Sequence, residues 1–386
     1  MLEEEIRRFL QIALALNASV GQRTGVEPLL STETYDYGFP APAWDWEEIG
    51  RQIEELRPAI SSFPAARAGF LADLTTSFEM MAREGQGDRV PYAERVVAYL
   101  QVPGERVPQA TIAALAEDLR GLLVAEGYAD DLAIALPQWI ERRSIRGEAL
   151  QTLAEELMEQ ARTTTNERIM PLPAEHRVEL SFPKNFPFNG YSAYKRDYRG
   201  TVELNGDIGW HIPALKHLVC HEAFPGHQTF SALRELRYRQ GLIPVEGTLY
   251  FSNTPITPIV EGAAEIGQEL LGMVKTADDR LFDVYNRYQS ACATNLAFDC
   301  NADGKDQETA VREYMALTHV PRGQAERRYR FWSHPLWQTG FPHYWYGREF
   351  MQECYQRMAA DVPRFVEMIY TEPHTVRTLR EAVLTA

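Results

Sequence analysis

Pro225-Gly226 interrupts a stretch that otherwise reads as helix, ALKHLVCHEAFPGHQTF at 214–230. Proline has no N–H to give the carbonyl of His221, and its ring crowds that carbonyl, while glycine takes up dihedrals closed to other residues. The helix is therefore expected to kink, widen or restart here. On an unbroken helix His227 would stand about 120° around and about 9 Å along from His221, too far for the two to share an ion. A local break can swing it back beside His221.

The residue types flanking the break make that geometry consequential. In zinc hydrolysis two neutral imidazoles hold the ion, and a carboxylate beside them takes a proton from metal-bound water. His221, Glu222 and His227 supply these types, with the second histidine six residues after the first where the familiar HExxH motif has it four residues on. A second pairing stays open, because His217 and His221 are four apart and share a helix face without any break. If it is not a ligand, His217 is a core residue or supports one.

Catalytic zinc usually takes a third protein ligand. Glu261 is the best candidate, within TPIVEGAAEIGQEL, where Thr257 can cap a helix and Pro258 can start it. Glu261, Glu265 and Glu269 share one face, and Gly262, Ala263 and Ala264 would let this helix approach the motif helix closely. Glu265 is then placed to orient a ligand imidazole, whereas Glu269 fits a solvated stripe.

Around this centre the chain reads as a mainly α protein with a small β-sheet next to the motif helix. Residues 1–165 form a helical lobe, with the clearest helices at 44–62, 64–84, 108–126 and 146–165. Residues 166–386 form the metal-binding lobe. Alternating runs Arg177–Phe182 and Gly200–Asn205 are its expected strands, helical periodicity resumes at Pro213, and loops are expected at 241–257 and 333–342. With 386 residues, 45% of them hydrophobic, a large core is available. The net charge of −15 argues against nucleic acid or an anionic membrane as partner. The acidic, amphipathic N-terminus, with Leu2, Ile6, Phe9, Leu10 and Ala13 on one face, does not read as a signal peptide. No run is long enough to span a membrane. Cys220, Cys292, Cys300 and Cys354 form no CxxC pair, so a cytoplasmic, reducing location is expected. Serine nucleophile elbows, phosphate-binding glycine loops and dinucleotide fingerprints are absent.

HEAFPGH at 221–227, VEG at 260–262, GTVELN at 200–205, AERRY at 325–329 and HYWYG at 343–347 together resemble the bacterial family catalogued as domain of unknown function 885, which is similar to gluzincin-type zinc metallopeptidases. The resemblance spans roughly residues 170–360. It implies a helical metallopeptidase-like fold in which His221, His227 and Glu261 bind Zn2+ and Glu222 is the general base. It further implies that the 200–205 strand is an edge along which an extended substrate lies, and that Tyr344 stabilises a developing oxyanion. The chain is shorter than typical members in its N-terminal half, and EGAAEIGQ replaces bulkier residues after the ligand Glu. Asn205, Arg328 and Arg348 are the candidate substrate-binding residues, the two arginines because each can bind a carboxylate in bidentate fashion.

The expected function is a zinc-dependent hydrolysis of amide or peptide bonds in small molecules or short peptides. A metal-dependent lyase, isomerase or tailoring enzyme acting on a small metabolite through the same site is the alternative, and a binding protein with a decayed site is the third reading.

Overall fold

The computed structural model describes residues 3–24, 37–184 and 189–385. Leu2, expected on the apolar face of the first helix, lies outside them. The first segment is helical, as the periodicity requires: α1 (Glu4–Thr24), α2 (Trp46–Ile60), α3 (Ala65–Gly85), α4 (Tyr92–Leu100), α5 (Gln109–Ala125), α6 (Leu132–Arg142) and α7 (Gly147–Arg168), with a two-residue strand β1 (Ser144–Ile145) before the last. Pro64 and Pro108 sit at the N-caps of α3 and α5. Helix α1 buries Ile6, Phe9, Leu10, Ala13, Leu16 and Val20, spaced by three and four, and each large side chain so removed from water contributes about 1.5–3 kcal/mol.

Three short strands follow, β2 (Arg177–Ser181), β3 (Gly190–Lys195) and β4 (Arg199–Leu204), and then β5 (Trp210–His211), which pairs with β1. The sheet order is β2-β4-β3, with β2 parallel and β3 antiparallel to β4. β4 is therefore the central strand, paired on both sides. The expectation of a substrate-accepting edge at 200–205 is corrected: the edges are β2 and β3, the latter a strand not anticipated from its Gly-Tyr-Ser-rich sequence.

The remainder is helical: α8 (Ile212–Glu222), α9 (His227–Arg239), α10 (Thr257–Glu265), the single turn α11 (Gly267–Leu270), α12 (Ala277–Asn301), α13 (Gln307–Thr318), α14 (Arg322–Trp332), α15 (His343–Arg357), α16 (Val362–Thr371) and α17 (Val376–Thr385). The chain is thus mainly α. Among the described residues no helix is long and apolar enough to cross a membrane.

Each apolar cluster draws on residues from both sides of position 165. One joins α1–α4 to α9, α10 and α15–α17, a second joins α5 and α6 to α12–α15, and the third sets α7 against the sheet and α8. The two expected lobes share their cores.

Helix α10 carries Glu261 and crosses α15 at very close range. A Cβ added to Gly262 would stand 2.2 Å from the carbonyl oxygen of Gly347, and one added to Gly347 would stand 2.7 Å from that of Pro258. Gly262 thus admits α15, not the motif helix α8 as the sequence suggested. Thr257 is the first residue of α10 and not its cap, the N-cap position being Ile256.

Gly262→Ala should lower stability by about 1–3 kcal/mol in urea unfolding, the cost of overpacking, even though alanine is the better helix former. Gly121→Ala, on an exposed turn of α5 with no atom near the added Cβ, should instead stabilise by about 0.5–1 kcal/mol. Equal effects at the two positions would contradict the close crossing.

Candidate metal centre

Helix α8 ends at Glu222 and α9 begins at His227, so the Pro-Gly step is a full interruption of the helix. The Phe224–Pro225 peptide is cis. Gly226 lies against the end of α8, its N–H donating to the carbonyl of Cys220 at 3.0 Å. A Cβ there would fall 1.7 Å from the carbonyl oxygen of His221, so no other residue fits without moving backbone. The break brings the rings of His221 and His227 to a centroid separation of 4.8 Å, nearly perpendicular.

Glu261 completes the group. Its carboxylate lies 3.3 Å from His221 Nε2 and 3.6 Å from His227 Nε2, and one ligand atom from each of the three residues falls within 4.8 Å of the others. A second set meeting the same criterion is His217, His221 and Glu265. His221 belongs to both, through different nitrogens: Nε2 faces Glu261, while Nδ1 lies 3.2 Å from Glu265. Both buried His/Glu groups are able to hold a metal ion.

Electrostatics bear on whether a cation fits. Glu222, Glu261 and Glu265 are all buried, and three carboxylates withdrawn from water are costly unless positive charge offsets them. Their effects on the neighbouring groups differ. Burial alone would lower the His221 pKa, but Glu261 and Glu265 outweigh it and hold the value well above the usual histidine range. Burial keeps His227 neutral, with a pKa near 4. Glu222 is pushed up to about 7, first by burial and then by the Glu261 and Glu265 carboxylates, against the pull of His221. Glu261 is held low because His227, His221 and His343 outweigh its burial. Nδ1 of His227 and both ring nitrogens of His343 are buried without hydrogen-bond partners. Two neutral-capable imidazoles, a carboxylate and surplus buried negative charge fit a divalent cation.

The surrounding groups fix the donors. Tyr250 Oη donates to Glu261 Oε1 at 2.8 Å, and Asn286 Nδ2 donates to Glu265 Oε2 at 2.7 Å. Gln228, next to His227, reaches the sheet, where its Nε2 donates to the Ser192 hydroxyl and the Ala193 carbonyl. Gly200 makes room for it, since a Cβ there would fall 1.8 Å from Gln228 Oε1. His217 is partly buried, its Nε2 3.6 Å from Glu265. Gly190, at the start of β3, passes so close to α8 that an added Cβ would stand 3.2 Å from Glu222 Oε1.

Tyr344 is half-buried at the start of α15, its ring 4.1 Å from that of His343. Burial and Glu261 raise its pKa well above the usual value, so it remains a proton donor. His343 was not singled out in the sequence. It is buried, with Nε2 3.8 Å from Glu261, and its only signal was adjacency to Tyr344 in HYWYG. Two substrate-binding expectations are corrected. Arg348 is buried and bonded to Asp283 at 2.5 Å and Glu349 at 3.1 Å. Asn205 is buried in a turn, its Oδ1 accepting from Asp207 N at 2.9 Å. Arg328 is half-buried.

Because a ligand imidazole must be neutral, zinc loading has to displace the proton that Glu261 and Glu265 stabilise on His221. Binding at pH 7 should therefore release about one proton per zinc and weaken as pH falls, which calorimetry in buffers of differing ionisation enthalpy will read. His227→Ala and Gly226→Ala should both lose the metal while His217→Ala keeps it. Retention by His227→Ala with loss by His217→Ala would move the ion to the other set.

No family model matches the chain, and no curated protein matches it. Among solved structures it is similar to a provisionally named lipoprotein from Colwellia psychrerythraea, with a TM-score of 0.61 at 14% identity over 90% of this chain and 68% of that one. It is also similar to a provisionally named lipoprotein of unknown function from Shewanella oneidensis, with a TM-score of 0.56 at 15% identity over 88% of this chain and 72% of that one. At these identities the likeness is one of fold.

Proposed function

We propose that this chain is a zinc-dependent hydrolase of amide or peptide bonds in small substrates, of the kind its resemblance to the domain of unknown function 885 family and to gluzincins implies. The observation that carries this reading is the convergence of His221, His227 and Glu261 with a buried Glu222 beside them. Zinc rather than another divalent ion suits two imidazoles and one carboxylate, a set that leaves a position open for water or substrate. When bound there, zinc supplies a Lewis acid that acidifies water and polarises a carbonyl.

The chain's own residues supply the remainder. Glu222, with a pKa near neutrality, is matched to taking a proton from the attacking water and passing it to the leaving nitrogen. Tyr344 holds its proton and donates a hydrogen bond to the oxyanion as the carbonyl becomes tetrahedral. Glu265, 3.2 Å from His221 Nδ1, is placed to orient that ring, and Asn286 holds Glu265 in turn. The outer edge of β3, which begins at Gly190 beside Glu222, offers backbone groups to an extended substrate. Burial of His221, Glu222 and Glu261 favours small molecules and short peptides. The four unpaired cysteines support a cytoplasmic location.

Glu222→Gln preserves size and polarity but cannot accept the proton. It should keep near-normal zinc content and folding while hydrolysis of short peptides or N-acyl amino acids falls by at least about a hundredfold. Turnover by the variant at the wild-type rate would rule out Glu222 as the base.

A further inference from the structure

Many arginines of the C-terminal third are committed to carboxylates, while among the described residues the exposed Arg280, Arg312 and Arg380 are not. Arg322 is paired with Glu308 and Glu326, Arg287 with Glu349, Arg348 with Asp283 and Glu349, and Arg357 with Glu353. Arg327, Arg328 and Arg330 on α14 have no ion-pair partner among the described residues. In a chain with 54 acidic and 39 basic residues, carboxylates are plentiful, so a half-buried guanidinium without one stands out. Arg328 shares a side-chain hydrogen bond with the Tyr314 hydroxyl, which leaves its charge without a counter-ion, and a half-buried guanidinium in that state can take up an incoming carboxylate.

Of the three, Arg328 has the position that matters. It shares a helix face with Phe331 and Trp332, three and four residues on. Phe331 meets Tyr344 at a ring separation of 6.2 Å, and Trp332 meets Tyr314 at 5.3 Å. That face of α14 is thereby turned toward the start of α15, where Tyr344 and His343 adjoin Glu261. The charge of Arg328 is felt at Tyr344, Tyr314 and Tyr285, where it opposes the larger effect of burial. Tyr344 therefore lies within electrostatic reach of both the metal centre's carboxylates and this cation.

We infer that Arg328 receives a carboxylate of the substrate, which makes the substrate class N-acyl amino acids and short peptides with a free carboxyl group close to the scissile amide. The inference rests on the hydrolase reading for the bond that is cut, and on α14 alone for the anion. A planar guanidinium matches a carboxylate with two parallel hydrogen bonds, an interaction a neutral carboxamide cannot return in kind. Arg327 and Arg330 fall on a different face of the helix from Arg328.

The test compares N-acetyl amino acids and alanine dipeptides with their C-terminal primary amides. The wild type should prefer each acid by about ten- to a hundredfold in kcat/KM, the worth of one charge-assisted pair. Arg328→Gln should erase that preference, mainly by raising KM for the acids. Arg328→Lys should restore part of it, and Arg327→Gln should leave it intact. Near-UV circular dichroism checks that each variant is folded; should Arg328→Gln fail to fold, Arg328→Lys carries the comparison. Equal cleavage of acids and amides by the wild type, or an acid preference that survives Arg328→Gln, overturns the inference and leaves the hydrolase reading standing. Absence of any cleavage defeats the hydrolase reading instead. Calorimetry of as-purified Glu222→Gln protein with Ala-Ala and its amide then decides the anion site independently: selective binding of the acid that Arg328→Gln abolishes supports it, and indifference to the carboxylate overturns it.

Discussion

The interruption between α8 and α9 is the constraint on which the rest depends. His221 and His227 are six residues apart and would diverge on any continuous helix, yet their rings stand 4.8 Å apart. Proline ends the first helix by withholding a donor and crowding a carbonyl. Glycine lets the chain fold back onto the end it has just left, with no space for a side chain between Gly226 and His221. The acids around this fold-back are buried, and burying several carboxylates together is tolerable only where cations or protons offset them. The raised pKa values of His221 and Glu222 are the local expression of that demand.

The other elements hold this arrangement from three directions. Helix α10 brings Glu261, and its position is set by the near-contact of Gly262 and Gly347 with α15. The same crossing delivers Tyr344 and His343, so carboxylate, phenol and third imidazole are placed by a single helix pair. From the sheet side, Gln228 ties the residue after His227 to β3, and Gly200 leaves the space for it. From α12, Asn286 anchors Glu265, which faces His221. The cores that run between the first 165 residues and the remainder make the whole chain the scaffold of the centre.

Much of this was legible in the sequence because the signals were local. Helix periodicity at α2, α3, α5 and α7, the Pro-Gly break, and Glu261 on an apolar helix can each be read within one turn or one motif. What escaped depended on tertiary partners. β3 has little strand character in GYSAYK and becomes a strand by pairing with β4, which removed the edge expected at 200–205. Gly262 signalled close approach correctly but could not say to what. Arg348 and Arg328 look alike as residues in an aromatic-rich stretch, and only the position of Asp283 and Glu349 separates the cation committed to carboxylates from the one without a carboxylate partner among the described residues. Asn205 looked available at the end of a strand and proved to be a turn residue. His343 has no periodicity or spacing to mark it, since its significance comes from lying 3.8 Å from Glu261.

The most direct measurement of the central claim is an anomalous difference map at the zinc absorption edge from crystals of the zinc-loaded protein. The expected result is one peak about 2.0–2.2 Å from His221 Nε2, His227 Nε2 and a carboxylate oxygen of Glu261, with Glu265 on the far nitrogen of His221. A peak held by His217, His221 Nδ1 and Glu265, or no peak at either group, would contradict it.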